Sequence, residues 1–238
     1  MHDMLERYVF PWLTRAENLH NQDEISIRVD RVGDGARLLA DGIAVASAAR
    51  APDIIPHLIH VLDESVLKQL TDLRAVHAGV VLWRGRALLL PGMSHAGKSS
   101  LVAALLQQGA TYFSDEYALI DAEGKVHPYA RPLMVREDCP EQVPVLAREY
   151  GAQIGDAPAE VGWILFLQFE PAAGWQIARL SQGEALLGLL RNTPHILTES
   201  PDMIDKFQRA IARAGCYAGK RAEAEQAAGE ILSWIANS

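Results

Sequence analysis

Three groups of residues in this sequence have the types and spacing for chemistry on a phosphate: the run Gly92-Met93-Ser94-His95-Ala96-Gly97-Lys98-Ser99, the pair Asp115-Glu116, and His77. The run reads G-x-x-x-x-G-K-S. Its flanks suit a phosphate-binding loop, since the apolar stretch Leu88-Leu89-Leu90 enters it and an amphipathic stretch from Ser100 leaves it. In such a loop the backbone N–H groups of Gly92, Ser94, His95, Ala96, Gly97, Lys98, Ser99 and Ser100 converge on phosphate oxygens. Gly92 and Gly97 are expected to take φ values that a Cβ would forbid. A helix beginning near Lys98 adds the favourable field of its N-terminus. Lys98 then reaches the β and γ phosphates, and the Ser99 hydroxyl joins the shell of a Mg²⁺ ion. The expected ligands are ATP or another nucleoside triphosphate, with Mg²⁺. His95 is open between a γ-phosphate contact and a tolerated loop residue.

Asp115 and Glu116 follow the strand-like stretch Thr111 to Phe113, one helix and one strand beyond Lys98. Ligands in open α/β sheets lie at the carboxyl ends of strands, which puts both acids near the phosphates. One carboxylate can serve Mg²⁺ and the other a substrate hydroxyl. His77 precedes an apolar hairpin and reads either as a phosphate contact or proton partner, or as a strand-entry histidine bonded to backbone. Arg131 and Arg136 can neutralise a transferring phosphoryl group, or be ordinary surface arginines.

The elements that must position these residues follow from periodicity. Val80 to Trp83 and Arg86 to Leu90 read as strands joined at Arg84-Gly85, so that a hairpin feeds the loop. Leu101, Val102, Leu105 and Leu106 give the next helix one apolar face, and Gly109 ends it. Tyr117 to Asp121 and Lys125 to Pro128 predict a short hairpin. Upstream, Ile25 to Val29, Ala36 to Leu39 and Ile43 to Ala46 predict a small sheet, followed by a helix carrying Ile59, Leu62, Val66, Leu70 and Leu73. Leu5 to Leu13 has helical spacing interrupted at Pro11. Arg131 to Pro158, with four prolines, reads as a substrate lid or a surface connection, with one short helix near Gln142 to Tyr150. Beyond it, Val161 to Phe169 and Trp175 to Leu180 read as strands carrying core tryptophans Trp163 and Trp175. Ser181 and Glu184 form a capping box, Ser200-Pro201 starts a helix that Gly215 closes, and Arg221 to Ile235 is a last helix.

At 238 residues with a net charge of −8, the chain has room for a substantial core and no basic run for a nucleic-acid footprint. Cys139 and Cys216 have no metal-ligand spacing, and His57, His60 and His195 have none either. The N-terminal sequence lacks signal-peptide character and no apolar run approaches transmembrane length. A soluble cytoplasmic protein without a membrane or nucleic-acid partner is expected. The expected domains are a small α+β region over 1–74 and a loop-bearing α/β core over 75–238.

His77-Ala78-Gly79-Val80, the hairpin, Gly92 to Ser99 and Ser114-Asp115-Glu116 with its following hairpin resemble the catalytic core of the HPr kinase/phosphorylase family. That core is similar to the one in phosphoenolpyruvate carboxykinases. The resemblance covers roughly 75–132 and implies a P-loop nucleotide-binding α/β fold. It also implies that Asp115 is the base toward an acceptor hydroxyl, that Glu116 helps hold the metal, and that His77 lies near the phosphates. Two departures stand out: Glu116 replaces the family's usual aspartate, and no Glu-Ile-Arg-Gly type signature follows. The implied activity is ATP-dependent phosphorylation of a hydroxyl, serine of a peptide or small protein first among acceptors. A nucleotide-binding regulatory module or weak ATPase, a small-molecule kinase, and a homo-oligomeric state all stay open.

Overall fold

The computed structural model describes residues 2–9, 25–93, 96–136, 142–194 and 202–237. The chain is mixed α/β and divides into two compact units, one of Met1–Gln69 with Arg136–Val145, the other of Leu70–Val135 with Leu146–Ser238.

In the first unit, helix α1 (His2–Tyr8) precedes three antiparallel strands, β1 (Ile27–Val32), β2 (Gly35–Ala40) and β3 (Ile43–Ala48), in the order β1-β2-β3. A 3₁₀ turn over Ala51–Ile54 leads into α2 (Ile55–Gln69). Val9, Ala36, Leu38, Ile54 and Leu58 form the buried centre of this unit. Helix α2 stops at Gln69, so Leu70 and Leu73, placed on this helix by periodicity, lie beyond it. Residues 10–13 of the expected N-terminal helix lie outside the described residues.

The second unit is organised on an eight-stranded mixed sheet. Its first strands are β4 (Arg74–Trp83) and β5 (Arg86–Pro91), antiparallel from Ala78↔Pro91 to Trp83↔Arg86. Arg84 and Gly85 both have positive φ, 51° and 77°, the backbone hand that a two-residue hairpin turn requires. Helix α3 (Lys98–Gln107) follows, then β6 (Thr111–Ser114), β7 (Tyr117–Ile120), β8 (Lys125–His127) and β9 (Leu133–Val135). The strand β10 (Val143–Val145) belongs to the first unit. The chain continues with β11 (Ala159–Phe169), β12 (Gln176–Arg179), α4 (Gln182–Arg191), α5 (Met203–Ala212), β13 (Gly215–Arg221) and α6 (Ala224–Ala236).

The sheet runs β12-β13-β11-β5-β4-β7-β8, with β6 also paired to β4. The start of β11 pairs with β8, which closes β4, β5, β11, β8 and β7 into a ring of strands. Val76, Val80, Leu89, Phe113, Ile120, Val126, Ile164 and Phe207 are among its buried core. β5, β11 and β13 are mutually parallel, and β6, antiparallel to β4, shares their direction. Their carboxyl ends therefore lie on one side, where ligands of such sheets collect.

Several expectations are corrected. Gly215 does not close a helix; it opens β13, a strand inserted between β11 and β12. Gly-Cys-Tyr-Ala-Gly-Lys-Arg alternates poorly and contains two glycines, so its strand character comes from its parallel partner rather than from its own propensity. The expected helix at 142–150 is β10 followed by a 3₁₀ turn over Ala147–Tyr150. Trp163 and Trp175 are half-buried rather than core: the Arg86 guanidinium lies over the Trp163 ring, and Trp175 packs near Trp234. The capping box at α4 forms as expected, Ser181 N–H donating to Glu184 at 2.8 Å and Glu184 N–H to Ser181 Oγ at 3.3 Å. Pro201 and the start signal at Ser200 lie outside the described residues.

Candidate functional site

The turn between β5 and α3 occupies the carboxyl end of β5. Gly97, the residue before the helix, has φ of 73°, so a glycine is required there by backbone geometry. Gly92 is a correction: its φ is not positive, and a Cβ there would meet Ala96 Cβ at 3.4 Å and the Lys98 side chain at 3.7 Å. Those are ordinary van der Waals distances, so neither the backbone angle nor the space requires glycine there. Ser94 and His95 lie outside the described residues.

Lys98 folds back over the turn and its Nζ donates to the Met93 carbonyl at 3.0 Å. Burial pulls the Lys98 ammonium below its usual pKa, against the opposing charges of Glu116 and Asp115. Ser100 is exposed on the first turn of α3. The Gly97 side chain, being hydrogen, supplies no cap to α3, whose first N–H groups, as at any helix start, have no intrahelical partner.

Asp115 sits immediately after β6, fully buried at 0% exposure. Its Oδ2 accepts from Ser99 Oγ at 2.9 Å and from Met134 N–H at 3.0 Å. The Tyr112 hydroxyl faces both Asp115 Oδ1 at 3.2 Å and the Arg131 carbonyl at 2.8 Å, one proton shared between two acceptors. Burial and the adjacent Asp115 charge push the Tyr112 hydroxyl well above its ordinary pKa, so it stays a donor.

Glu116 differs from its neighbour. Its side chain is 25% exposed, with Oε1 2.8 Å from His77 Nε2 and Oε2 2.8 Å from Arg131 Nη2. Burial alone would raise its pKa. The His77 hydrogen bond and the Arg131, His77 and Lys98 charges outweigh that and hold it at about 2. An ionised carboxylate only accepts, so the His77 proton resides on Nε2. His77 is tied to the turn by its own backbone: its carbonyl accepts from Gly92 N–H at 3.2 Å, while its N–H donates to the Asn192 carbonyl at 2.7 Å.

The structure thus brings His77, Lys98, Ser99, Asp115 and Glu116 to one sheet end. It joins Ser99 to Asp115 rather than to Glu116, and gives Glu116 to His77 and Arg131. Arg131, which its type alone makes an ordinary surface arginine more readily than a site residue, is 3% exposed and bridges both acids, at 3.5 Å from Asp115 Oδ1. Arg136 is exposed and belongs to the other unit. Tyr112, three residues before Asp115, had no signal beyond its place on an apolar strand. Among the described residues no group of three or more His, Cys, Asp or Glu side chains is placed to hold a metal. Ser99 and Asp115 are nevertheless an adjacent hydroxyl and carboxylate, the all-oxygen donor set that a hard cation takes alongside phosphate and water. Also among the described residues, no helix is long and apolar enough to cross a membrane. No family model matches the chain, and no curated protein matches it.

Proposed function

We propose that this protein is an ATP-dependent phosphotransferase of the P-loop type that transfers a phosphoryl group to a hydroxyl, with a serine of a peptide or small protein as the favoured acceptor. The observation that carries the reading is the Ser99–Asp115 hydrogen bond at the entrance to α3, beside Lys98 and the helix N-terminus. A loop serine next to a strand-end aspartate is the pair that holds Mg²⁺ in P-loop enzymes generally.

In this reading Ser99 and Asp115 would hold Mg²⁺, which supplies neutralisation of charge on the phosphate oxygens. Lys98 leaves Met93 to pair with the phosphates, and the N–H groups at the start of α3 bind their oxygens. Glu116 orients the acceptor hydroxyl, and His77 and Arg131 fix the carboxylate that does so. With its pKa near 2, Glu116 acts chiefly as a hydrogen-bond acceptor, which suffices where bond breaking to the leaving group runs ahead of proton removal. This division exchanges the roles that the family resemblance implies for the two acids. Asp115, at 0% exposure and hydrogen-bonded to Ser99, serves the loop side, whereas Glu116, 25% exposed, is the acid an acceptor hydroxyl can reach.

The test is γ-labelled ATP with Mg²⁺ against peptide and small-molecule acceptors, with binding measured separately. Glu116→Gln should retain Mg²⁺-dependent ATP binding and lose transfer by roughly a hundredfold, the cost of a misoriented reacting group. Asp115→Asn should lose the Mg²⁺ dependence of binding itself. Label released only as free phosphate would make the protein an ATPase, and full transfer by Glu116→Gln would end the assignment of that residue.

A further inference from the structure

Arg221 is the last residue of β13 and only 3% exposed. Its guanidinium reaches the turn before α3, where Nη2 donates to the carbonyls of Ala96 and Gly97, both at 3.0 Å. Nη1 donates to the Ala222 carbonyl at 2.9 Å, and the guanidinium carbon lies 5.3 Å from the centre of the Phe169 ring at the end of β11. The cation is therefore held by the Ala222 carbonyl and the Phe169 ring and directed at two successive peptide units of the turn. A Cβ on Gly97 would collide with Nη2, so the glycine also makes room for the arginine.

A trans peptide points its N–H and its C=O in opposite directions. The carbonyl of Ala96 shares its peptide plane with the N–H of Gly97, and the carbonyl of Gly97 shares its plane with the N–H of Lys98. Holding both carbonyls toward Arg221 turns both N–H groups away from it. A guanidinium on the carbonyl side also draws electron density from each amide, which strengthens the N–H as a donor. The Gly97 carbonyl accepts in addition from Leu101 N–H at 3.2 Å, the first bond of α3, so the same clamp aligns the turn with the helix axis.

We infer that Arg221 is a positioning residue for anion binding: it sets the direction of the Gly97 and Lys98 N–H groups toward a phosphate it does not itself touch. The ligand class is a polyphosphate, and the inference rests on the phosphate-binding reading of this turn. Nothing in the local sequence marks Arg221, because its partners lie 124 and 125 residues away.

The experiment is calorimetric titration of the full chain with tripolyphosphate and with Mg·ATP, for the parent, Arg221→Met, Arg221→Lys and Lys98→Ala, with thermal melts in parallel. Arg221→Met should weaken both ligands roughly tenfold to a hundredfold, the loss expected for two charge-assisted hydrogen bonds acting through the amides. Arg221→Lys, a point charge that satisfies one carbonyl, should fall between. Millimolar methylguanidinium should restore binding to Arg221→Met and leave Lys98→Ala unchanged, which a loss of general stability would not produce. Parent protein that binds neither ligand would remove the phosphate reading itself, independently of Arg221. Parent protein that binds while Arg221→Met and Arg221→Lys bind within about twofold of it would overturn the inference. If Arg221→Met does not fold, the Arg221→Lys ratio decides on the same terms.

Discussion

Two arginines flank the turn at the end of β5, each 3% exposed, and they are held in opposite ways. Arg131 faces carboxylates, at 2.8 Å from Glu116 and 3.5 Å from Asp115. Arg221 faces backbone carbonyls, at 3.0 Å from both Ala96 and Gly97. The first neutralises buried charge, so its removal strands anions in a region of low dielectric. The second orients neutral dipoles, so its removal releases carbonyls that water can reach. The same residue type thus sets the electrostatics on one side of the turn and the backbone shape on the other.

The largest effect should come from breaking the charged side. Arg131→Met leaves Asp115, fully buried, and Glu116 without their shared countercharge, and unpairing a buried ion costs about 4 kcal/mol of folding stability. Urea midpoints should show it. Arg131→Met combined with Asp115→Asn should recover part of the loss, because the stranded charge is then gone. A single variant as stable as the parent would show that the two acids are solvated in solution.

Legibility divides along the same line. The turn was readable because Gly92 to Ser99 is a local pattern, and the capping box at Ser181 and Glu184 because it spans four residues. Asp115 and Glu116 were readable as a pair, since a strand and a helix fixed their distance from Lys98 along the chain. Which acid meets Ser99 was not, because that depends on the β6 backbone delivering Asp115 inward and Glu116 outward, a tertiary outcome. Residue type alone does not place Arg131; its burial decides its role. Arg221 and β13 are illegible for one reason: a strand with two glycines takes its identity from β11 and β12, and its terminal arginine from a turn far back in sequence.

An intermediate effect follows from pH. Glu116 titrates at about 2 in the folded protein, below its ordinary 4.5, because His77 and Arg131 stabilise the anion. The folded state therefore holds a carboxylate that the unfolded chain would protonate first. That stabilisation is complete above the ordinary value and is lost as pH falls from 4.5 toward 2, amounting to on the order of 3 kcal/mol for a shift of this size. Denaturant midpoints taken across that window should decline steeply for the parent and less for Glu116→Gln. Equal slopes for the two proteins would place the acid sensitivity elsewhere. Arg221→Lys should leave the slope untouched, since it keeps the positive charge and its partners are backbone carbonyls rather than Glu116.

The smallest effect sharpens the shape-setting side. Gly97→Ala introduces a Cβ at a φ of 73°, which costs about 1–2 kcal/mol for an L-residue in the left-handed region. It also displaces Arg221, whose Nη2 occupies the space the methyl needs. Gly92→Ala carries neither burden, its Cβ meeting Ala96 at an ordinary 3.4 Å, and should change stability less. The two sources of cost at Gly97 separate in the Arg221→Ala background. Backbone strain persists there while the collision is gone, so Gly97→Ala should be milder in that background than in the parent. Identical costs in both backgrounds would mean that the guanidinium moves aside without loss, and that Gly97 is required by its backbone angle alone. A milder cost accompanied by equal loss of polyphosphate binding would instead tie the direction of the Gly97 and Lys98 amides to the clamp, because both substitutions then disturb the same two peptide planes by different routes.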